Sequence, residues 1–222
     1  MFAGHVGAAL VIGRAERRVN VGAFIAAALL LDMLLWILIL LGWESVFIPS
    51  NFASTHQPEY VFPYSHGLAA SLTLSAIAAA GFVWCAHLPV AKWRAAALIA
   101  AAVFSHWLLD ALVHQPEMPL AGARSIKVGL ALCQSMPAAL AIESAIVVAG
   151  LWLFMPGSGL SRGKSLALAA LVLLVLVFTV VGMTIAPPPP SALAMAGSSL
   201  VTLVVVCALA CWLGRLPSER QA

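Results

Sequence analysis

Apolar residues run along this chain in long continuous blocks, not in the short alternation of a soluble sheet or the one-sided stripe of a surface helix. The blocks cover roughly 20–43, 67–89, 95–114, 128–155, 165–186 and 191–213, with a shorter one at 1–13. Crossing the hydrocarbon core of a bilayer takes about 20 apolar residues of helix. Each block is long enough to cross, and a helix satisfies all its backbone groups internally in lipid. The pattern predicts an all-α polytopic membrane bundle of about six long transmembrane helices plus a short N-terminal helix. Four prolines at 187–190 cannot continue a helix and predict a stiff turn between the last two spans. Residues 1–155 hold nearly all the polar side chains that fall within apolar blocks. They are therefore expected to form the functional bundle, with 156–222 a C-terminal transmembrane hairpin and tail.

The basic residues give this bundle a direction. Arg14, Arg17 and Arg18 precede the first long block, Lys92 and Arg94 separate the second from the third, Arg162 and Lys164 separate the fourth from the fifth, and Arg215 and Arg220 follow the sixth. For six spans these clusters all fall on one side, the cytoplasmic one by the positive-inside rule. The loop 44–66 has no Lys or Arg and is expected outside, as is the proline turn. Arg124 and Lys127 are the exceptions on the outer side. Trp43, Trp93 and Trp212 sit near block ends, where amphipathic rings favour the interface.

Composition agrees: 63% of residues are hydrophobic, 9% are charged, and the mean hydropathy is +1.05. A soluble domain carries about 25% charged residues. The net charge of +3 is too small to imply a nucleic-acid partner. Cys85, Cys133, Cys207 and Cys211 fall in apolar runs without zinc-finger spacing and read as packing residues. The first 18 residues lack a basic segment ahead of their apolar part and do not read as a secretory signal. "GSGLSRGKS" mimics a phosphate loop, but Ser158 stands where its first glycine belongs and no strand precedes it. No internal repeat stands out.

Against this background the buried charges are conspicuous. The only two aspartates, Asp32 and Asp110, lie inside apolar blocks, as do Glu143, His106 and His114; His66 opens the second block and His5 lies in the N-terminal one. An acidic side chain at mid-bilayer costs about 2.5–3.5 kcal/mol on insertion scales. His106, Asp110 and His114 are four residues apart and form one stripe on a helix. Counted at ~1.5 Å per residue from the cytoplasmic ends, His5, Asp32, His106, Asp110 and Glu143 come out roughly 14–22 Å up, in the middle to outer half of the bilayer. Mixed imidazoles and carboxylates at one depth form the ligand set of Zn²⁺ or another divalent metal. Binding such an ion offsets the insertion cost.

The motifs "MFAGH", "LLLDML", "YSHGL", "SHWLLDALVHQPEMPL" and "KVGLAL" leading to "LAIES" resemble the bacterial membrane-bound metal-dependent hydrolases, inner-membrane proteins of mostly undefined function. The resemblance covers about residues 1–155. More distantly, the order His5, Asp32, His66, His106, Asp110, His114, Glu143 is similar to that of zinc-dependent phospholipase C and the single-strand nucleases of the same helical fold. That likeness implies one metal on Asp32, His66, His106 and Asp110, a second touching His5 and Asp110, and a third on His114 and Glu143. The third lacks its usual histidine one turn before the glutamate, where Ala139 stands, so one or two ions are expected.

The chemistry implied is hydrolysis by a metal-activated water, with Asp32 or Glu143 as general base. Arg124 and Lys127 are candidates for holding an anionic head group, with Ser65 and Glu117 as further substrate contacts. The expected substrate is a membrane lipid or lipid-linked molecule, with a phosphoester the first choice. A transporter would instead spread its acidic groups over several depths. A bis-histidine haem protein would have no aspartate between its ligands.

Overall fold

The computed structural model describes residues 1–85 and 92–216; Arg220 and the expected end of the second span lie outside them. Helices α1 (Phe2–Gly13), α2 (Val21–Ala28) and α3 (Leu30–Leu40) come first. The segment expected on the outer side follows, with β1 (Ser45–Phe47), the single turn α4 (Phe52–Thr55) and β2 (Glu59–Val61), which pairs antiparallel with β1. Helices α5 (Leu68–Cys85) and α6 (Lys92–Val113) are next. A two-residue ladder of β3 (Met118–Pro119) with β4 (Lys127–Val128) and a 3₁₀ turn at Leu132–Gln134 lead into α7 (Met136–Phe154). Helices α8 (Arg162–Thr184) and α9 (Ala192–Leu213) complete the described chain.

Among the described residues, five helices are long and apolar enough to cross a membrane, and α2 with α3 makes a sixth span bent by 48°. The molecule is a helical membrane protein with a short N-terminal helix, as the hydropathy pattern predicts. Two elements differ from expectation. The first span is broken at Leu29, with no Gly or Pro to break it. The fourth span starts at Met136, not near residue 128, because 127–134 folds back onto the end of α6. There Leu130 N–H donates to Ala111 O and Ala131 N–H to His114 O, both at 2.8 Å. These bonds satisfy carbonyls that a helix C-terminus otherwise leaves open. Gly129 is needed in this fold-back, because a Cβ there would collide with the backbone oxygens of His114 and Gln115.

Local chemistry sets the helix starts. Asn20 Oδ1 accepts from Gly22 N–H, and its amide donates to Cys211 O at 2.8 Å, which ties α2 to the end of α9. Ser161 and Ser191 cap α8 and α9 by accepting from Lys164 N–H and Ala194 N–H. Helix α1 lies on α7 with backbone against backbone: a Cβ on Gly7 would lie 2.8 Å from the Ile146 carbonyl, and one on Gly150 would meet Gly7 O. Small residues at such crossings let membrane helices approach closely.

Leu168, Val172, Val175, Leu203 and Ala210 of the C-terminal hairpin belong to the same buried cluster as Phe24, Leu31 and Val147. The hairpin therefore packs into one core with residues 1–155. The basic clusters meet at one end: Arg94 donates to Ala15 O, Arg17 to Pro156 O and Lys164 to Arg215 O, each at 2.7 Å.

Candidate metal centre

A cavity of about 420 Å³ lies among α1, α3, α6, α7, α8 and α9, lined also by the outer segment and the proline turn. Its polar end is where the sequence-derived histidines and carboxylates converge. They come from several elements. His5 comes from the first turns of α1. Asp32 sits in the first turn of α3, where a carboxylate is favoured by the helix dipole. His66 precedes α5, and His106 and Asp110 share one face of α6.

Asp110 is the hub. Its Oδ1 is 3.1 Å from His5 Nε2, and its Oδ2 is 3.1 Å from His106 Nε2 and 3.5 Å from His66 Nε2. Asp32 Oδ1 lies 3.5 Å from His66 Nε2 and 3.6 Å from His106 Nε2. The two Nε2 atoms of His66 and His106 are 3.2 Å apart. The His5 ring stacks on His106 at 3.7 Å. His5, His106 and Asp110 are 1%, 0% and 2% exposed, so water does not compensate them.

The two inner imidazoles are set from behind. His106 Nδ1 donates to Ala28 O at 2.6 Å. Ala28 is the last residue of α2, and this bond sits at the break in the first span, which explains why an unbroken apolar run bends there. His66 Nδ1 meets Ser65 Oγ at 2.8 Å, and that hydroxyl donates to Glu44 Oε2 at 2.7 Å. Glu44 Oε1 accepts from Tyr64 N–H and Ser65 N–H at 2.8 and 2.9 Å. With Glu44 taking the hydroxyl proton, Ser65 Oγ accepts from His66 Nδ1. Both rings then present an Nε2 lone pair to the two aspartates, the arrangement that outer partners impose on metal-binding histidines.

Two sets have ligand atoms within 4.8 Å of one another: His5, Asp32 and His106, and His66, His106 and Asp110. The donor set suits a divalent cation. The buried His5 Nδ1, His5 Nε2 and Asp110 Oδ1 make no hydrogen bond, and unsatisfied groups of this kind are costly without a further partner. Asp32, His66, His106 and Asp110 would hold such an ion, with His5 at its edge.

The remaining expected residues fall elsewhere. His114 Nε2 is 4.0 Å from Asp110 Oδ2, and its Nδ1 pairs with Glu117 Oε1 at 2.6 Å, so Glu117 serves His114 and is not on the cavity wall. Glu143 lines the cavity, where its Oε2 accepts from Gly4 N–H at 3.1 Å, but it belongs to neither ligand set. Ser65 is fully buried behind His66 and is not on the wall. Arg124 and Lys127 are exposed beside and in β4, also off the wall.

Sequence reasoning missed Glu44, His56, Trp36 and Tyr60. The last three line the cavity, and burial together with the Asp32, Glu117 and Asp110 carboxylates pushes the Tyr60 hydroxyl up, so it stays a donor. Glu44 carried one signal: a carboxylate with no cation in its loop. Phe178, Met183, Ser199 and Thr202 show that the C-terminal hairpin, expected to stand apart from the site, forms one wall. Compared with family models, curated proteins and solved structures, the chain has no match.

Proposed function

We propose that this protein is a membrane-embedded, metal-dependent hydrolase of a bacterial inner membrane that acts on a lipid or lipid-linked substrate. The observation that carries this reading is the convergence of Asp32, His66, His106 and Asp110, with their Nε2 and carboxylate oxygens turned to one point and buried oxygen and nitrogen atoms left without a hydrogen bond. A divalent ion such as Zn²⁺, when bound, supplies Lewis-acid polarisation of the scissile group and lowers the pKa of a water to about 7.

The chain's own residues do the rest. Glu44, Ser65 and Ala28 O fix the imidazole orientations. Glu143, on the wall and outside the ligand sets, is the general base that takes the water proton; Asp32, within the cluster, is a ligand. The Tyr60 hydroxyl is a neutral donor on the same wall. Burial among apolar helices favours a substrate that reaches the site from the bilayer.

Asp110→Asn tests this reading. It keeps shape and removes the charge that five nitrogen atoms face at 3.1–4.0 Å. Detergent-purified wild-type protein should carry zinc near stoichiometry by elemental analysis, and Asp110→Asn should lose at least about nine-tenths of it. Equal metal content in both would remove the metal centre and the hydrolase with it.

A further inference from the structure

The charges on the cavity wall narrow what can enter. Three carboxylates line it, Asp32, Asp110 and Glu143, with His56, His66 and His114, and among the described residues no lysine or arginine does. The one amino group there, that of Met1, lies 3.6 Å from Asp110 Oδ1 and already faces a carboxylate. Phosphate groups carry about −1.5 to −2 charge near pH 7 and are held by guanidinium, ammonium or rows of backbone N–H. Arg124 and Lys127, the residues expected to do this, are exposed and off the wall. A phosphate monoester would therefore enter among three carboxylates whose charge one bound divalent ion offsets only in part, with no lysine or arginine among the described wall residues to receive it.

The donors on the wall are uncharged. Tyr60 and Ser199 supply hydroxyls, those of Thr179, Ser198 and Thr202 donate to carbonyls of their own helices, and the rest of the lining is mainly apolar, including Trp36, Phe178 and Leu203. The carboxylates already have neighbours: Asp32 Oδ1 and Asp110 Oδ2 face imidazoles and Glu143 Oε2 accepts from Gly4 N–H. That leaves little to recruit a cationic head group either.

We infer that the cavity takes an uncharged acyl lipid, a carboxylic ester or amide, with its chain along α8 and α9 and its carbonyl at the Asp32–Asp110 end. The inference rests on the hydrolase reading for its chemistry and on the wall alone for its ligand. In the reaction, the water oxygen bonds to the carbonyl carbon and the ester C–O or amide C–N bond breaks. Glu143 takes the water proton and returns it to the leaving oxygen or nitrogen. The products are a fatty acid and an alcohol or amine, with no change of oxidation state. The acid ionises on release, and a carboxylate-lined wall favours its departure.

The test compares three amphiphiles of one chain length, methyl tetradecanoate, tetradecyl phosphate and tetradecylamine. Binding to the full chain in neutral-detergent micelles, with and without zinc, is followed by tryptophan fluorescence and by shift of the melting temperature. The ester should bind at least about tenfold more tightly than either charged compound in both metal states. Equal or tighter binding of the phosphate or the amine would overturn the inference. Ester turnover is followed separately: zinc-dependent release of tetradecanoate supports both readings. Zinc-dependent cleavage of tetradecyl phosphate with the ester excluded overturns the substrate class and leaves the hydrolase. Tight ester binding with no zinc-dependent cleavage of any member leaves the ligand class and removes the hydrolase.

Discussion

Ser65→Ala tests whether the buried relay behind His66 governs metal affinity. The substitution removes one oxygen atom from a position with no solvent exposure. Glu44 keeps its two backbone donors, Tyr64 N–H and Ser65 N–H, so the loop retains its local anchor. What disappears is the link from Glu44 Oε2 to His66 Nδ1, two bonds of 2.7 and 2.8 Å. Each polar atom left unsatisfied in a buried place costs about 1–3 kcal/mol. Loss of an outer hydrogen-bond partner of a metal-binding histidine typically lowers metal affinity about 10–100-fold, or about 1.4–2.7 kcal/mol. The assay is competition for zinc against a chromophoric chelator. Glu44→Gln alone should weaken zinc over a similar range, and in the Ser65→Ala background it should add almost nothing, because the link is already cut. Zinc affinity at wild-type strength in Ser65→Ala would refute the relay. Additive losses in the double variant would show that Glu44 acts on zinc independently of Ser65.

Gly7→Ala would place a Cβ 2.8 Å from the Ile146 backbone, which cannot move aside as a side chain can, and should cost about 1–3 kcal/mol. Gly197→Ala, with nothing within 4 Å, is the control; equal melting temperatures for the two variants in detergent would contradict the seating of α1 on α7. At the basic end, hydrogen bonds from Arg18 hold the Glu16 carboxyl below its usual range. A depressed carboxyl adds stability that is complete above the ordinary range near pH ~4.3 and is lost as pH falls through the lowered value. The stability gap between wild type and Glu16→Gln should therefore be constant from pH ~6 to ~8 and close only on strong acidification; a gap that instead closes between pH ~6 and ~8 would assign it to another group.

The spans were legible because a bilayer demands twenty apolar residues in a row, and that demand is written residue by residue. The convergence of Asp32, His106 and Asp110 was legible for a related reason: intramembrane acids have few uses, and helical rise fixes their depth. The break at Leu29 was not, since nothing local ends the helix; a hydrogen bond from His106, far along the chain, meets it there. Residues 128–135 looked like the start of a span, yet Leu130 and Ala131 serve the end of α6. Glu44 and His56 lay in an outer segment whose folding depends on short strands and loop packing, with no periodicity to read. Arg124 and Lys127 were read by sign alone, and charge does not say which wall a side chain reaches.

Helix α1 spans about 18 Å at ~1.5 Å per residue, roughly half the thickness of a bilayer core, and it rests on α7. Gly4 N–H and its acceptor Glu143 are 139 residues apart. A ribosome adding about 5–20 residues per second makes the second partner roughly 7–28 s after the first. Through that interval α1, carrying His5, has α2 and then α6 to pack against but lacks its seat on α7. Synthesis of α1 thus precedes by seconds the surface that seats it at this seam. The Gly4–Glu143 bond, and the part of the cavity wall that Glu143 supplies, close only once α7 has been made, whereas His5, Asp32, His66, His106 and Asp110 all precede it in the chain.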